Sequence, residues 1–241
     1  MKDLIERYHM LSSRPRSPHA VPKPYTFLEL ELQFDVQPLL AELRGAQLPW
    51  STAPWKWHHE TKILVLRAGP SESGPQALVT GAGVDQPVLE TLPRLRRFLD
   101  EAFGAPTPVA WLGLSPPGAR IFLHGDNTDH WDRHHRVHIP LETNPDALLC
   151  VGERFQHFPA GSVWAFNNSR VHGAVNHGPD RIHLVIDLPD TEEAKALLSS
   201  ARPRAGVERP ELLAELEKDP RDSLDAGHVD DPALLERLRA Q

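Results

Sequence analysis

The region that decides the fold opens with Val109-Ala-Trp-Leu-Gly-Leu114, the turn Ser115-Pro-Pro-Gly118 and Ala119-Arg-Ile-Phe-Leu-His124. Short apolar runs of this kind, separated by turn residues, continue as far as residue 188. They predict eight strands, near 109–114, 119–124, 136–141, 147–151, 153–158, 162–167, 172–176 and 181–188. So many short strands are typical of a sandwich or barrel, and their density favours a double-stranded β-helix, or jelly roll.

The N-terminal part predicts elements that support this core. Residues 1–26 are rich in proline towards their end and predict an extended lead-in. Residues 27–34 alternate apolar and polar side chains, which predicts a strand with one wet face. Three further elements follow: a helix over 36–43, a buried strand over 62–67 and an amphipathic helix over 88–103 with a possible kink at Pro93.

The C-terminal part predicts short helices. Asp190-Thr-Glu-Glu193 resembles a capping box that begins a helix ending near Ser200, and Pro210–Leu216 and Pro232–Leu238 predict two more. The fold class is therefore mainly β with flanking helices. We expect an extended lead-in (1–26), a jelly-roll domain with N-terminal strand and helix support (27–190) and a helical C-terminal tail (191–241).

Composition excludes several classes of protein. The chain has 24 prolines in 241 residues, which disfavours a helix bundle, and a formal net charge of −7, which offers no field for nucleic acid. A stretch of about 18 apolar residues and the apolar segment of a signal peptide are both missing, so we expect no membrane span and a cytoplasmic location. The single cysteine, Cys150, sits in an apolar run and predicts a buried structural thiol.

The histidines are concentrated in one segment: nine of 14 lie within residues 124–183. His124 and Asp126 end a predicted strand on the same side, since residues i and i+2 share a face, and His172 follows on a later strand. Two histidines and one carboxylate form the ligand set of non-haem Fe(II) oxygenases and leave three positions open. The alternative is that each is an ordinary polar residue with a satisfied hydrogen bond.

Arginine residues in two predicted strands indicate an anionic ligand. Arg181 begins the apolar run 181–187, where burial is unfavourable unless a carboxylate meets the guanidinium, and a bound dicarboxylate would do so. Arg136 and His138 likewise share one side of another strand. The alternative for Arg136 is an internal salt bridge with Asp126 or Glu142.

Five ordered blocks of this sequence resemble the aspartyl/asparaginyl β-hydroxylase family, which includes bacterial cis-proline hydroxylases. The blocks are Pro117–Asp126, Arg136–Leu141, Gly161–Asn168, His172 and Arg181–Asp187. The resemblance covers about residues 105–190 well and 27–104 loosely. It implies an Fe(II)- and 2-oxoglutarate-dependent dioxygenase that uses O2 and releases succinate and CO2.

The resemblance also implies roles for individual residues. His124, Asp126 and His172 would bind iron, and Arg181 would bind the distal carboxylate of 2-oxoglutarate. Arg136 and His138 would lie against this cosubstrate. The enzyme that names the family lacks the carboxylate ligand, so the presence of Asp126 favours the proline-hydroxylase-like branch, with an amino acid or short peptide as substrate.

Substrate contacts are predicted from the loop that follows the first ligands. Trp131, Arg133 and His134 could hold an amino-acid or peptide carboxylate, and Asn168 could orient substrate or a metal ligand. The segment Trp55-Lys-Trp-His-His59 could line the pocket or simply pack. Three alternatives remain: a β-hydroxylase of Asp or Asn residues in a peptide or protein, a non-oxygenase cupin-type metal protein, and a zinc hydrolase.

Overall fold

The computed structural model describes residues 21–55, 57–68, 83–126 and 129–217, and in them fifteen strands form two antiparallel sheets. The larger sheet contains, in spatial order, β14 (Arg202–Arg204), β1 (Phe27–Gln33), β11 (Ser162–Phe166), β8 (His134–Glu142), β13 (Arg181–Pro189), β6 (Val109–Ser115), β4 (Lys62–Ala68) and β2 (Ser51–Thr52), with β5 (Val84–Asp85) also paired to β4. The smaller sheet contains β15 (Val207–Glu208), β10 (Arg154–Gln156), β9 (Ala147–Val151), β12 (His172–Asn176), β7 (Arg120–His124) and β3 (His58–His59). The predicted fold class, mainly β with a jelly-roll core, is confirmed.

Four helices flank the sheets: α1 (Gln37–Gly45), α2 (Pro93–Glu101), α3 (Glu192–Ser199) and α4 (Pro210–Leu216). The helix predicted over 88–103 divides at Leu92 into a 3-10 helix, Pro87–Thr91, and α2. Pro93 occupies the first turn of α2, where its missing N–H costs no helical hydrogen bond. None of the helices in the described part of the chain is long and apolar enough to cross a membrane.

Alternation of side chains along β13 separates two environments. Leu184, Ile186 and Leu188 join the main apolar core, which lies between the larger sheet and the helices. Arg181 and His183 point the other way, into a cavity between the two sheets. The same alternation runs along β8 and β6, so the inner face of the larger sheet carries polar groups on a rigid scaffold.

The space between the sheets is filled at one end by aromatic side chains. Phe158 stacks on Trp164 with ring centroids 4.6 Å apart, and Phe27 and Phe166 complete this cluster with aliphatic residues of β9. Such aromatic pairs contribute about 1 kcal/mol beyond the burial of their area. The remaining space is the cavity that carries the polar groups.

The C-terminal tail differs from its prediction. The helices α3 and α4 are present, and Thr191 caps α3 by accepting a hydrogen bond from the Ala194 N–H (3.3 Å). Between them, β14 and β15 add an edge strand to each sheet, which the short polar segments there do not predict. The predicted helix 232–238 and residues 1–20 of the lead-in lie outside the described residues, and the division at residues 26 and 190 stays a prediction.

The helix α4 covers the outer face of the smaller sheet. Leu213 and Leu216 are buried against an apolar cluster of β7, β9, β10 and β12 that includes Cys150. Burial of Cys150 raises the pKa of its thiol above the ordinary range, as expected of a structural cysteine. Through α4, the C-terminal tail therefore packs against the smaller sheet.

We expect Leu213→Ala to lower the free energy of unfolding by about 2–4 kcal/mol, because it empties a buried site between α4 and the sheet. The half-buried neighbour Leu212 provides a matched control, and Leu212→Ala should cost about 1 kcal/mol or less. Urea unfolding of the full chain measures both. Equal small losses in the two variants would show that α4 does not stabilise the domain.

Candidate metal centre

The structure brings His124, Asp126 and His172 together. His124 ends β7 and His172 begins β12; the two residues are direct partners across the antiparallel pair, and Asp126 follows in the turn after β7. One ligand atom from each of the three side chains lies within 4.8 Å of the others. The two imidazole rings have centroids 4.2 Å apart.

Hydrogen bonds leave one ring nitrogen of each histidine available for a metal. The Nδ1 of His124 bonds the carbonyl oxygen of Phe122 (2.8 Å), and the Nδ1 of His172 bonds that of Arg170 (2.9 Å). Since a carbonyl only accepts, Nδ1 carries the proton and Nε2 keeps its lone pair. Burial lowers the pKa of both histidines, which therefore stay neutral near pH 7.

The carboxylate of Asp126 supplies the negative charge of this site. Burial alone would raise its pKa, but His172, Arg136 and His124 outweigh that effect and hold the pKa below its usual value. Two neutral imidazoles and one ionised carboxylate fit a divalent metal such as Fe(II).

The residue that binds Asp126 is Asn168, which is fully buried. Its Nδ2 donates to Oδ2 of Asp126 (2.8 Å). Asn168 thus bonds a candidate metal ligand and is not among the residues that line the cavity; its predicted contact with a substrate stays a prediction.

One cavity reaches both the histidine ligands and Arg181. Together with the open space at its mouth it has a volume of about 600 Å³, and His124, His172, His138 and Arg181 are among its lining residues. The side chains of the larger and smaller sheets therefore face the same space. A ligand in this cavity can contact the metal ligands and the guanidinium together.

Arg181 is buried without a carboxylate partner among the described residues. Its guanidinium lies 2.9 and 2.8 Å from the two ring nitrogens of His183, one of which can accept a hydrogen bond, and donates to Oγ of Ser115 (3.3 Å). Burial lowers its pKa to about 10, so the group remains charged at neutral pH. A buried, uncompensated cation is costly, and a bound carboxylate would relieve that cost.

Two polar atoms at the cavity wall have no hydrogen-bond partner among the described residues. They are Nε2 of His138 and Nε1 of Trp111, and each is almost completely buried. Burial and the charge of Arg181 lower the pKa of His138, so its ring is neutral. Buried polar groups are normally satisfied, so these two atoms are exceptions in the wall of the cavity.

Arg136 lines the cavity, but its predicted contact with the cosubstrate stays a prediction, because the guanidinium already has partners within the protein. Its guanidinium bonds Asp187 twice, through Nε to Oδ1 (2.8 Å) and Nη2 to Oδ2 (3.0 Å), and Nη1 lies 3.6 Å from Oδ2 of Asp126. Its charge is therefore already balanced within the protein. The internal salt bridge that the sequence offered as the alternative is present: Asp187 is the main partner, Asp126 is a more distant one, and Glu142 instead bonds Arg44.

The three loop residues predicted to bind substrate do not line the cavity. Trp131 is buried beneath the guanidinium of Arg136, 4.2 Å from its ring centroid, and His134 stacks on His130. Arg133 is exposed. Their polar composition predicted a pocket wall, whereas the 3-10 helix Asp129–Asp132 turns the loop against the protein interior.

Of the aromatic and basic segment 55–59, Trp57 packs and His58 lines the cavity. The Trp57 ring stacks on that of His124 (4.8 Å), and Nδ1 of His58 bonds Oγ1 of Thr61 (2.7 Å). Burial lowers the pKa of His58 to about 3. The sequence left open whether this segment lines the pocket or packs, and the structure shows one residue doing each.

Sequence reasoning missed Trp111 and Ser115 as cavity residues. They share a face of β6 by the same i, i+2 rule that paired Arg136 with His138, and Ser115 lies opposite Arg181 in the sheet. The alternation along β6 could have indicated these residues, but the register that pairs β6 with β13 cannot be predicted from the sequence.

Comparison with known proteins agrees with the resemblance seen in the sequence. Residues 77–191 match the family model described as aspartyl/asparaginyl beta-hydroxylase, which confirms the predicted resemblance. No curated protein matches the chain.

Solved structures show distant likenesses. A prolyl-4-hydroxylase from Pseudomonas putida is 19% identical, with 70% of this chain and 94% of that chain covered at a TM-score of 0.44. HygX from Streptomyces hygroscopicus, with nickel and 2-oxoglutarate bound, is 14% identical, with 70% and 84% covered at a TM-score of 0.45. Likenesses this distant carry no argument about the substrate.

We expect the metal-free protein to lose stability as the pH falls from 7 to 5. The pKa of His58 is lowered from 6.5 to about 3 in the folded chain, so below pH 6.5 the unfolded chain binds a proton that the folded chain does not. His58 alone should account for about 2 kcal/mol over this range. Urea unfolding at both pH values should show a dependence that is smaller by this amount in His58→Gln; identical dependences would contradict the assignment.

Proposed function

We propose that this dioxygenase, whose residues 77–191 match the aspartyl/asparaginyl β-hydroxylase family, hydroxylates an aliphatic C–H of a proline-like amino acid or of a residue in a short peptide. In the proposed reaction 2-oxoglutarate, O2 and the C–H compound give succinate, CO2 and the alcohol. The observation that carries the proposal is one cavity lined both by the histidines of a His-Asp-His cluster and by an uncompensated arginine.

Fe(II) bound by His124, Asp126 and His172 would supply the activation of O2. The protein's own contribution is to hold these three ligands in the correct protonation state, through the backbone bonds to Nδ1 and the Asn168 bond to the carboxylate. The metal and cosubstrate perform the difficult chemistry, so no general base is required.

Arg181 and Ser115 are the proposed binding site for the distal carboxylate of 2-oxoglutarate. The guanidinium is held towards the cavity by His183, and a carboxylate there would gain charge-assisted hydrogen bonds from Arg181 and one from Ser115. The unpaired Nε2 of His138 supports the predicted contact of this residue with the cosubstrate.

The wall beside this site supports an aliphatic substrate. Ile63, Trp111, Ile121 and Val185 line the cavity, and such side chains suit a hydrocarbon ring or chain better than an Asp or Asn side chain. The unpaired Nε1–H of Trp111 could donate to a substrate oxygen. Together with the retained Asp126, this wall favours the proline-like branch over β-hydroxylation of Asp or Asn residues.

The other candidate functions lack support. A cupin-type metal protein has no need of a buried, unpaired arginine at the far side of the cavity. A zinc hydrolase would place a glutamate base beside the ligands, and no glutamate among the described residues lines the cavity.

We expect purified protein to convert 2-oxoglutarate to succinate only when Fe(II) and O2 are present, and His172→Ala to abolish this conversion, because two ligands do not hold the metal in place. Succinate release in the presence of free amino acids and short peptides measures the activity and identifies the substrate. His177→Ala is the control, since His177 bonds Glu215 at the surface and should leave turnover unchanged. Turnover without iron, or full activity without His172, would contradict the proposal.

We expect Arg181→Ala to raise the KM for 2-oxoglutarate by about 100-fold or more, because the carboxylate loses at least two charge-assisted hydrogen bonds. The affinity for Fe(II) or Ni(II) in the absence of 2-oxoglutarate should stay within a few-fold of wild type. Arg202→Ala, which removes an exposed guanidinium paired with Glu31, is the control for loss of positive charge. Parallel losses of metal and 2-oxoglutarate binding in Arg181→Ala would assign this residue a purely structural role.

A further inference from the structure

The end of the N-terminal lead-in is bonded to two loops beside the candidate metal ligands. The N–H of Val21 donates to the carbonyl oxygen of Asp132 (3.0 Å), and the N–H of Asn167 donates to that of Thr26 (3.1 Å). Between these two points, the Nδ2 of Asn167 donates to the carbonyl oxygen of Lys23 (2.6 Å). The segment is thereby attached to the loop that precedes the ligand His172 and to the loop that follows the ligand Asp126.

Lys23 is buried at the centre of this segment, with 5% of its surface exposed. Its Nζ donates to Oδ1 of Asn168 (2.7 Å), with the carbonyl oxygen of Trp131 farther away (3.4 Å). An ammonium group can only donate, so the oxygen of the Asn168 amide must face Lys23. The NH2 of the same amide must then face Asp126, where it donates to Oδ2 (2.8 Å).

Asn168 holds Asp126 at two points. In addition to the side-chain bond, the carbonyl oxygen of Asn168 accepts the N–H of Asp126 (3.0 Å). The carboxylate has a competing partner, since Nη1 of Arg136 lies only 3.6 Å from Oδ2. The amide donor therefore keeps Asp126 beside His124 and His172 and opposes its closure onto Arg136.

We infer that Lys23 is a positioning residue of the metal centre, which acts by fixing the orientation of the Asn168 amide and, through it, the carboxylate of Asp126. This inference rests on the proposed function, because it requires that His124, Asp126 and His172 bind a divalent metal. It assigns the lead-in segment, at residue 23, a part in the site.

Whether metal affinity rises or falls when Lys23 is replaced distinguishes a positioning role from a purely electrostatic one. Removing a positive charge near a metal site should tighten the binding of a dication if charge alone matters. If Lys23 instead holds the amide in place, its removal frees the Asn168 side chain to turn away from Asp126, the carboxylate loses this donor, and metal binding weakens. Changes to groups that orient metal ligands typically cost about 10–100-fold in affinity.

The test is calorimetric titration of the full chain with Co(II) or Ni(II), without 2-oxoglutarate. We expect Lys23→Met to weaken metal binding about 10-fold and Asn168→Ala about 10–100-fold. In the double variant the Lys23→Met change should have no additional effect, because Lys23 acts through Asn168. Lys195→Met, which removes a surface lysine paired with Glu192, is the control and should bind metal as the wild type does.

Each other outcome overturns the inference. Unchanged or tighter binding in Lys23→Met excludes positioning, and additive effects in the double variant exclude a role through Asn168. If Lys23→Met does not fold, as judged by urea unfolding, Asn168→Ala decides. An unchanged metal affinity in that variant would show that the Asn168 amide does not position Asp126, and the inference would fail. The titration of the wild-type protein tests the proposed function separately: if the wild-type protein binds no metal, the proposed function itself is refuted.

Discussion

The burial of two arginines on the inner face of one β-sheet is the constraint on which the site depends. Strand alternation sends Arg136 and Arg181 away from the helices and into the space between the sheets. Neither guanidinium can reach bulk water easily, so each needs compensation. Asp187 compensates Arg136, and among the described residues no carboxylate compensates Arg181.

Because only one of the two arginines is paired with a carboxylate, the two ends of the cavity differ in charge. At one end, Arg136 lies beside Asp126 and contributes to keeping that carboxylate ionised. At Arg181 the cavity presents a cation whose side-chain partners among the described residues are His183 and Ser115. A molecule with two anionic ends suits both features, because one end can bind a metal and the other a guanidinium. The geometry thus supports a dicarboxylate cosubstrate independently of the family match.

Local patterns in the sequence were enough to predict the jelly-roll class, the His124–Asp126 pair and the unusual position of Arg181. Each of these depends on alternation within a single strand, which is readable from spacing. The partner of Arg136 was not predictable, since it depends on the register that places Arg136 opposite Asp187 on a neighbouring strand. The direction of the loop that carries Trp131 was also unreadable, because polar composition fits a pocket wall and a packed loop equally well.

The central claim is that 2-oxoglutarate bridges the metal site and Arg181 within one cavity. Calorimetric titration of the wild-type protein with 2-oxoglutarate, in the presence and absence of Ni(II) and without O2, tests this claim most directly. Two-point attachment predicts that the metal tightens 2-oxoglutarate binding at least 10-fold, and by linkage that 2-oxoglutarate tightens metal binding by the same factor. Equal affinity with and without metal, or no binding of 2-oxoglutarate at all, would contradict the account.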